Sequence, residues 1–177
     1  MSNISQTIIA VDVNGNWYSS IDNIPDGTKF RHLNLSNMDF DKIPEKIATL
    51  QVGTLVIENC PNLHNLENVP QKGLKEVYCS NSGINTLEGI PEGVKYVDCS
   101  FTPVNTLEHL PKEGLEKVVC HCCNKIEYIS DDTPNETIEG MSKSRIIKCK
   151  TRLMTDFMPV APKTNLVKHY TDKLHTY

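Results

Sequence analysis

The sequence predicts an α/β repeat solenoid in which short units stack a parallel β-sheet along one face. Three observations predict it. The chain resembles itself at intervals of 20 to 22 residues, the same positions of each unit are apolar, and the segments returning between units carry proline.

The repeat is found by aligning Val77-Tyr78-Cys79 with Val97-Asp98-Cys99 and Val118-Val119-Cys120, which brings Leu74, Val94 and Leu115 into register. Extending backwards gives six units, starting at Ile8, Phe30, Val52, Leu74, Val94 and Leu115. The first, fourth and sixth positions are apolar: Ile8, Val11 and Val13; Phe30, Leu33 and Leu35; Val52, Leu55 and Ile57; then the three units already aligned, which end in Cys79, Cys99 and Cys120. After a polar turn come Tyr18, Phe40, Leu63, Ile84, Val104 and Ile126, and three residues later Ile21, Ile43, Leu66, Leu87, Leu107 and Ile129. All 30 of these positions are apolar in a chain that is 38% apolar. Chance would produce that with a probability on the order of 10⁻¹².

Each part of the unit has a physical reason. Positions four and six alternate as a strand requires, and the ninth position carries a small polar or thiol group able to bond turn backbone. One unit cannot bury its apolar face alone, so stacked strands spaced about 4.8 Å apart make an arc of roughly 25 to 30 Å. The returning segments Ile24-Pro25, Val69-Pro70, Ile90-Pro91 and Leu110-Pro111 are expected to be extended or 3₁₀, because proline lacks a donor and disfavours helix in the residue before it. Glu45 to Leu50, after Pro44, is expected to hold one helical turn.

The unit resembles the leucine-rich repeat, whose L-x-x-L-x-L-x-x-N/C-x-L pattern stands here as Leu74-x-x-Val77-x-Cys79-x-x-Ser82-x-Ile84 and its five counterparts. The resemblance covers about residues 8 to 129 and is closest to the short class known from bacterial secreted effectors. It implies a concave parallel sheet and a binding module, with no named ligand. The expected organisation is a lead-in at 1–7, six repeats over 8–129, a loop and capping strand at 130–158, and an amphipathic helix or tail at 159–177. The capping strand is placed at Arg145 to Lys150, followed by Leu153, Met154, Phe157 and Met158 over the last repeat. The helix is placed at Asn165 to Tyr177, where Leu166, Tyr170 and Leu174 share a face.

Charge is divided unevenly. The 177-residue chain has a net charge of −4, which splits into −10 for residues 1–140 and +6 for residues 141–177. Nucleic-acid binding is therefore not expected of the repeat body. Neither a signal-like apolar run near Met1 nor a span of about 18 apolar residues occurs, so a cytoplasmic, non-membrane protein is expected. Seven cysteines, an odd number, fit a reducing compartment better than a disulfide framework.

The run Cys120-His121-Cys122-Cys123 suggests a zinc site by residue type. The repeat register opposes it, placing Cys79, Cys99 and Cys120 at the buried sixth position and Cys60 and Cys123 at the ninth, and leaving Cys122 without a structural assignment. No glycine-rich phosphate loop occurs, and the six histidines fall at unrelated repeat positions, so neither a cofactor nor an enzyme activity is expected.

A partner is expected on the concave face, where side chains form columns. The third position contributes Ala10, His32, Thr54, Glu76, Tyr96 and Lys117; the fifth contributes Asp12, Asn34, Val56, Tyr78, Asp98 and Val119; Phe101 and Cys122 belong to the eighth. Tyr78, Tyr96 and Phe101, flanked by Val56, Val119 and His121 and ringed by Glu58, Glu76, Asp98 and Lys117, form the expected contact surface. The expected function is non-catalytic binding of a partner protein, and the acidic body favours one with a basic patch. Two other readings are an effector or inhibitor acting through the basic tail, and an enzyme or metal protein centred on Cys120 to Cys123. The terminal helix is open to docking on the solenoid, to a partner, or to self-association.

Overall fold

The computed structural model describes residues 7–127, 129, 133 and 135–141. The strand expected at 145–150 and the helix expected at 165–177 lie outside the described residues. The chain opens with an antiparallel hairpin, β1 (Thr7–Val11) and β2 (Trp17–Ser20). Six strands then form one parallel sheet in chain order: β3 (Lys29–Asn34), β4 (Gln51–Val56), β5 (Glu76–Tyr78), β6 (Tyr96–Asp98), β7 (Lys117–Val119) and β8 (Ile138–Glu139). The result is a parallel-strand β-solenoid of about five turns.

Register follows the repeat alignment from Phe30 onward. Leu33, Leu55, Val77, Val97, Val118 and Ile138 pair across successive strands, and all are buried. Leu35, Ile57, Cys79, Cys99 and Cys120 bury the sixth position behind them, while Leu63, Leu66, Ile84, Leu87, Val104 and Leu107 close the core from the returning side. At about 25 cal/mol per Å² of apolar surface, stacking these residues is the main force joining the units.

The returning segments are nearly free of helix. A 3₁₀ turn spans Ile21–Asn23 and a single α turn, α1, spans Glu45–Ala48. Elsewhere isolated bonds suffice: Val69 N–H donates to the Leu66 carbonyl at 3.4 Å, Ile90 to Leu87 at 3.3 Å, and Leu110 to Leu107 at 3.4 Å.

The strand exits repeat one device. Asn37, Asn59, Asn81, Phe101 and Cys122, all at the eighth position, have φ between 55° and 61°. Asparagine tolerates this left-handed conformation better than most residues. It lets the backbone ladder continue past the strand, with the N–H of Asn37, Asn59, Asn81 and Phe101 donating to Glu58, Ser80, Ser100 and His121 carbonyls at 2.8 to 3.1 Å. The ninth position then seals the turn from inside: Ser82 Oγ donates to the Ile57 carbonyl at 2.8 Å and accepts the Cys60 N–H at 3.2 Å.

Two expectations are corrected. Residues 8 to 29 are not a solenoid turn, because β1 pairs antiparallel with β2 and not parallel with β3. Asn14-Gly15 turns the chain, with Gly15 at φ 87°, and Asp12 Oδ1 accepts the N–H groups of Asn14 at 2.8 Å and Asn16 at 2.9 Å. That tight reversal returns the strand beside its predecessor, whereas a parallel neighbour needs a long crossover. Val11 and Val13, expected in the core, are 39% and 47% exposed, and Ala10 and Asp12 do not extend the outer columns. The second correction concerns 130–142, expected as a loop. It contains a 3₁₀ turn at Asn135–Thr137 and β8, so the place beside β7 is taken by Ile138–Glu139. Gly140 permits this, since a Cβ there would meet the His121 backbone nitrogen at 2.6 Å.

Candidate recognition surface

The parallel register carries the outward side chains into rows. His32, Thr54, Glu76, Tyr96 and Lys117 are mutual register partners along the third position. Asn34, Val56, Tyr78, Asp98, Val119 and Glu139 follow along the fifth. Glu139 was not expected here, and it completes the last row.

Tyr78 and Tyr96 lie on adjacent strands with ring centroids 5.1 Å apart and planes inclined by 35°, a tilted aromatic pair. Both rings are half-buried among their neighbours. Tyr78 stands between Val56 and Asp98 in its row, and its hydroxyl approaches Glu76 Oε2 at 3.5 Å. The same carboxylate oxygen accepts the Thr54 hydroxyl at 3.1 Å. Burial, then the Glu76 carboxylate, pushes the Tyr78 phenol above its ordinary pKa; burial, then Asp98, does the same for Tyr96. Both phenols therefore stay neutral donors.

Phe101 is placed differently from what the row reading suggests. It stands at the turn after β6, 57% exposed, and among the described residues its ring stacks on neither tyrosine. Val119 shares the outward row yet is buried among its neighbours outside the hydrophobic core, while Val56, Glu76 and Asp98 are half-buried and His121 is exposed.

Toward β8 the surface is ionic. Lys117 Nζ and Glu139 Oε2 form an ion pair, and His121 Nε2 lies 3.6 Å from the other Glu139 oxygen. Through this bond Glu139 raises the pKa of Lys117, and Lys117 lowers that of Glu139. Being exposed, the pair adds little stability and serves to fix side-chain positions.

The cysteine run does not converge. Cys120 and Cys123 point inward, with Cys120 Sγ donating to the Glu139 carbonyl at 3.2 Å and Cys123 Sγ to the Cys99 carbonyl at 2.9 Å, while Cys122 and His121 are exposed. Among the described residues, no three His, Cys, Asp or Glu side chains gather in a metal-binding cluster. No helix of the described residues is long and apolar enough to cross a membrane.

Comparison with protein-family models, curated proteins and solved structures yields no match. The functional reading therefore rests on the geometry of this surface.

Proposed function

We propose that the protein is a non-catalytic recognition module that binds a partner protein on the outer face of its parallel sheet, the face expected to be concave. The observation that carries this reading is the Tyr78–Tyr96 pair, held at 5.1 Å across β5 and β6 and open to solvent on one side. Tyrosine offers large contact area with few rotatable bonds, and here Val56, Glu76 and Asp98 surround it with an apolar edge and a polar rim. Phe101 extends the surface at the strand exit.

The finer family reading is the short leucine-rich repeat. Its support is the pattern of Leu74-x-x-Val77-x-Cys79-x-x-Ser82-x-Ile84, the left-handed eighth position and the hydrogen-bonded ninth. The absence of long helices on the returning side fits the 20- to 22-residue unit.

The test compares wild type with Tyr78→Ala/Tyr96→Ala/Phe101→Ala, and with Glu88→Gln/Glu108→Gln, two exposed acids on the returning segments away from the strands, as a remote control, as affinity baits in a native lysate. Circular dichroism first establishes that all three baits fold. Loss of a partner with the aromatic variant alone supports the reading; a partner retained by that variant, or lost equally with the control, removes it.

A further inference from the structure

We infer that the outer face takes an extended lysine- or arginine-bearing peptide segment, one cationic side chain lying over Tyr78 and Tyr96 between the carboxylates of Glu76 and Asp98. This rests on the recognition reading above and names the chemistry of the partner.

The diagonal from the third position of one strand to the fifth of the next recurs along the sheet, and at two junctions both of its members are charged. Lys117 occupies the third position of β7, Glu139 the fifth position of β8, and this diagonal is joined by an ion pair. Two strands earlier the same diagonal runs from Glu76 on β5 to Asp98 on β6. There both members are acids. Where the molecule seats its own lysine at one end of the face, it presents two carboxylates at the centre.

Neither central carboxylate has an ion-pair partner among the described residues, although Asp98 feels the Lys117 charge at longer range, Lys117 itself being paired with Glu139. Glu76 Oε2 accepts the Thr54 and Tyr78 hydroxyls and Asp98 Oδ1 accepts the Ser100 N–H at 2.9 Å, while no lysine, arginine or histidine pairs with either acid among the described residues. These bonds orient the acids and leave Glu76 Oε1 and Asp98 Oδ2 with capacity to accept. The tyrosine pair is an independent second contribution. A cation is attracted to an aromatic face within about 6 Å of its centroid, and two rings 5.1 Å apart bring both within reach of one ammonium or guanidinium group. Val56, the register neighbour of Tyr78, supplies apolar footing for the methylene stem. The −10 charge of residues 1–140 steers such a segment toward the protein.

The probe is a fluorescein-labelled extended peptide of alternating lysine and threonine, titrated with the full chain and followed by fluorescence anisotropy. Glu76→Gln, Asp98→Asn and Tyr96→Leu should each weaken binding by about fivefold or more, acetylation of the probe lysines by about tenfold, and Glu88→Gln/Glu108→Gln by under about twofold. Equal loss in the remote control, or undiminished binding of the acetylated probe, overturns the proposal. Displacement of the lysine probe by a synthetic peptide of residues 143–152 at far lower concentration assigns the face to the chain's own basic segment and overturns the assignment to a partner. If the lysine probe fails to bind while the aromatic triple variant still loses its lysate partner, the cationic proposal fails and the recognition reading stands; if that variant keeps the partner, both fail.

Discussion

Gly140 lies against His121 so closely that any Cβ at this position would meet the His121 backbone nitrogen at 2.6 Å and the Cys120 carbonyl carbon at 2.8 Å. Its φ of 94° adds a second restriction. Gly140→Ala should therefore cost about 2 to 3 kcal/mol. Denaturant unfolding checks this, and the loss should be accompanied by faster amide exchange at Cys120, whose N–H donates to Glu139 at 2.9 Å.

Phe101 occupies a left-handed backbone position that three other units fill with asparagine. Phe101→Asn removes a conformation that suits a bulky aromatic poorly, so it should raise stability by about 0.5 to 1 kcal/mol. The same change should weaken partner capture. A thermal melt paired with the capture assay separates these opposite effects; a loss of both would show that the ring packs as a structural residue.

Cysteine reactivity should follow the repeat position. In a Cys149→Ser background, native protein at pH 8 should react rapidly with maleimide at Cys122, the one exposed cysteine among those described. Cys60, Cys79, Cys99, Cys120 and Cys123 should react only as the chain unfolds. Burial pushes the Cys79 thiol well above its ordinary pKa, which removes the reactive thiolate as well as the access. Mass spectrometry after a timed quench reads the result.

Asp12 links the hairpin to pH. The side chain of Asn16, then the backbone N–H groups of Asn16 and Asn14, hold its carboxyl below the ordinary value of 3.8. A folded pKa below the unfolded one means stability that is present above 3.8 and lost as pH falls through the folded value. Fluorescence of the single tryptophan, Trp17, followed during acid titration should accordingly report hairpin opening below about pH 4. Asp12→Ala should destabilise the hairpin at neutral pH and flatten this dependence.

Most of the sheet was legible in the sequence because burial imposes period two on a strand and a fixed spacing on stacked units. From Phe30 to Val119 the aligned positions are the register partners. The two ends escaped for opposite reasons. At the amino end, Val11 and Val13 satisfied the apolar template although the Asn14-Gly15 turn signalled a hairpin. At the other end, Asn135 and Gly140 fall where the template demands apolar residues, so β8 and Glu139 went unseen, although Ile138 lies one repeat length beyond Val118. The aromatic site was legible as rows. Its internal geometry was not, because the tilt of two rings and the turn-borne position of Phe101 depend on side-chain packing and on φ.

The buried sixth position runs from Leu35 and Ile57 to Cys79, Cys99 and Cys120, and strands shorten from six residues in β3 and β4 to three in β5 to β7. The solenoid is thus graded along its length in strand length and in the side chain that fills the sixth position, and its turns are not interchangeable parts. A copy of residues 74–93 inserted after itself meets neighbours cut to its own gauge. The same copy inserted before Val52 sets a thiol between spaces shaped for leucine and isoleucine, which gives this chain a polarity for growth by duplication.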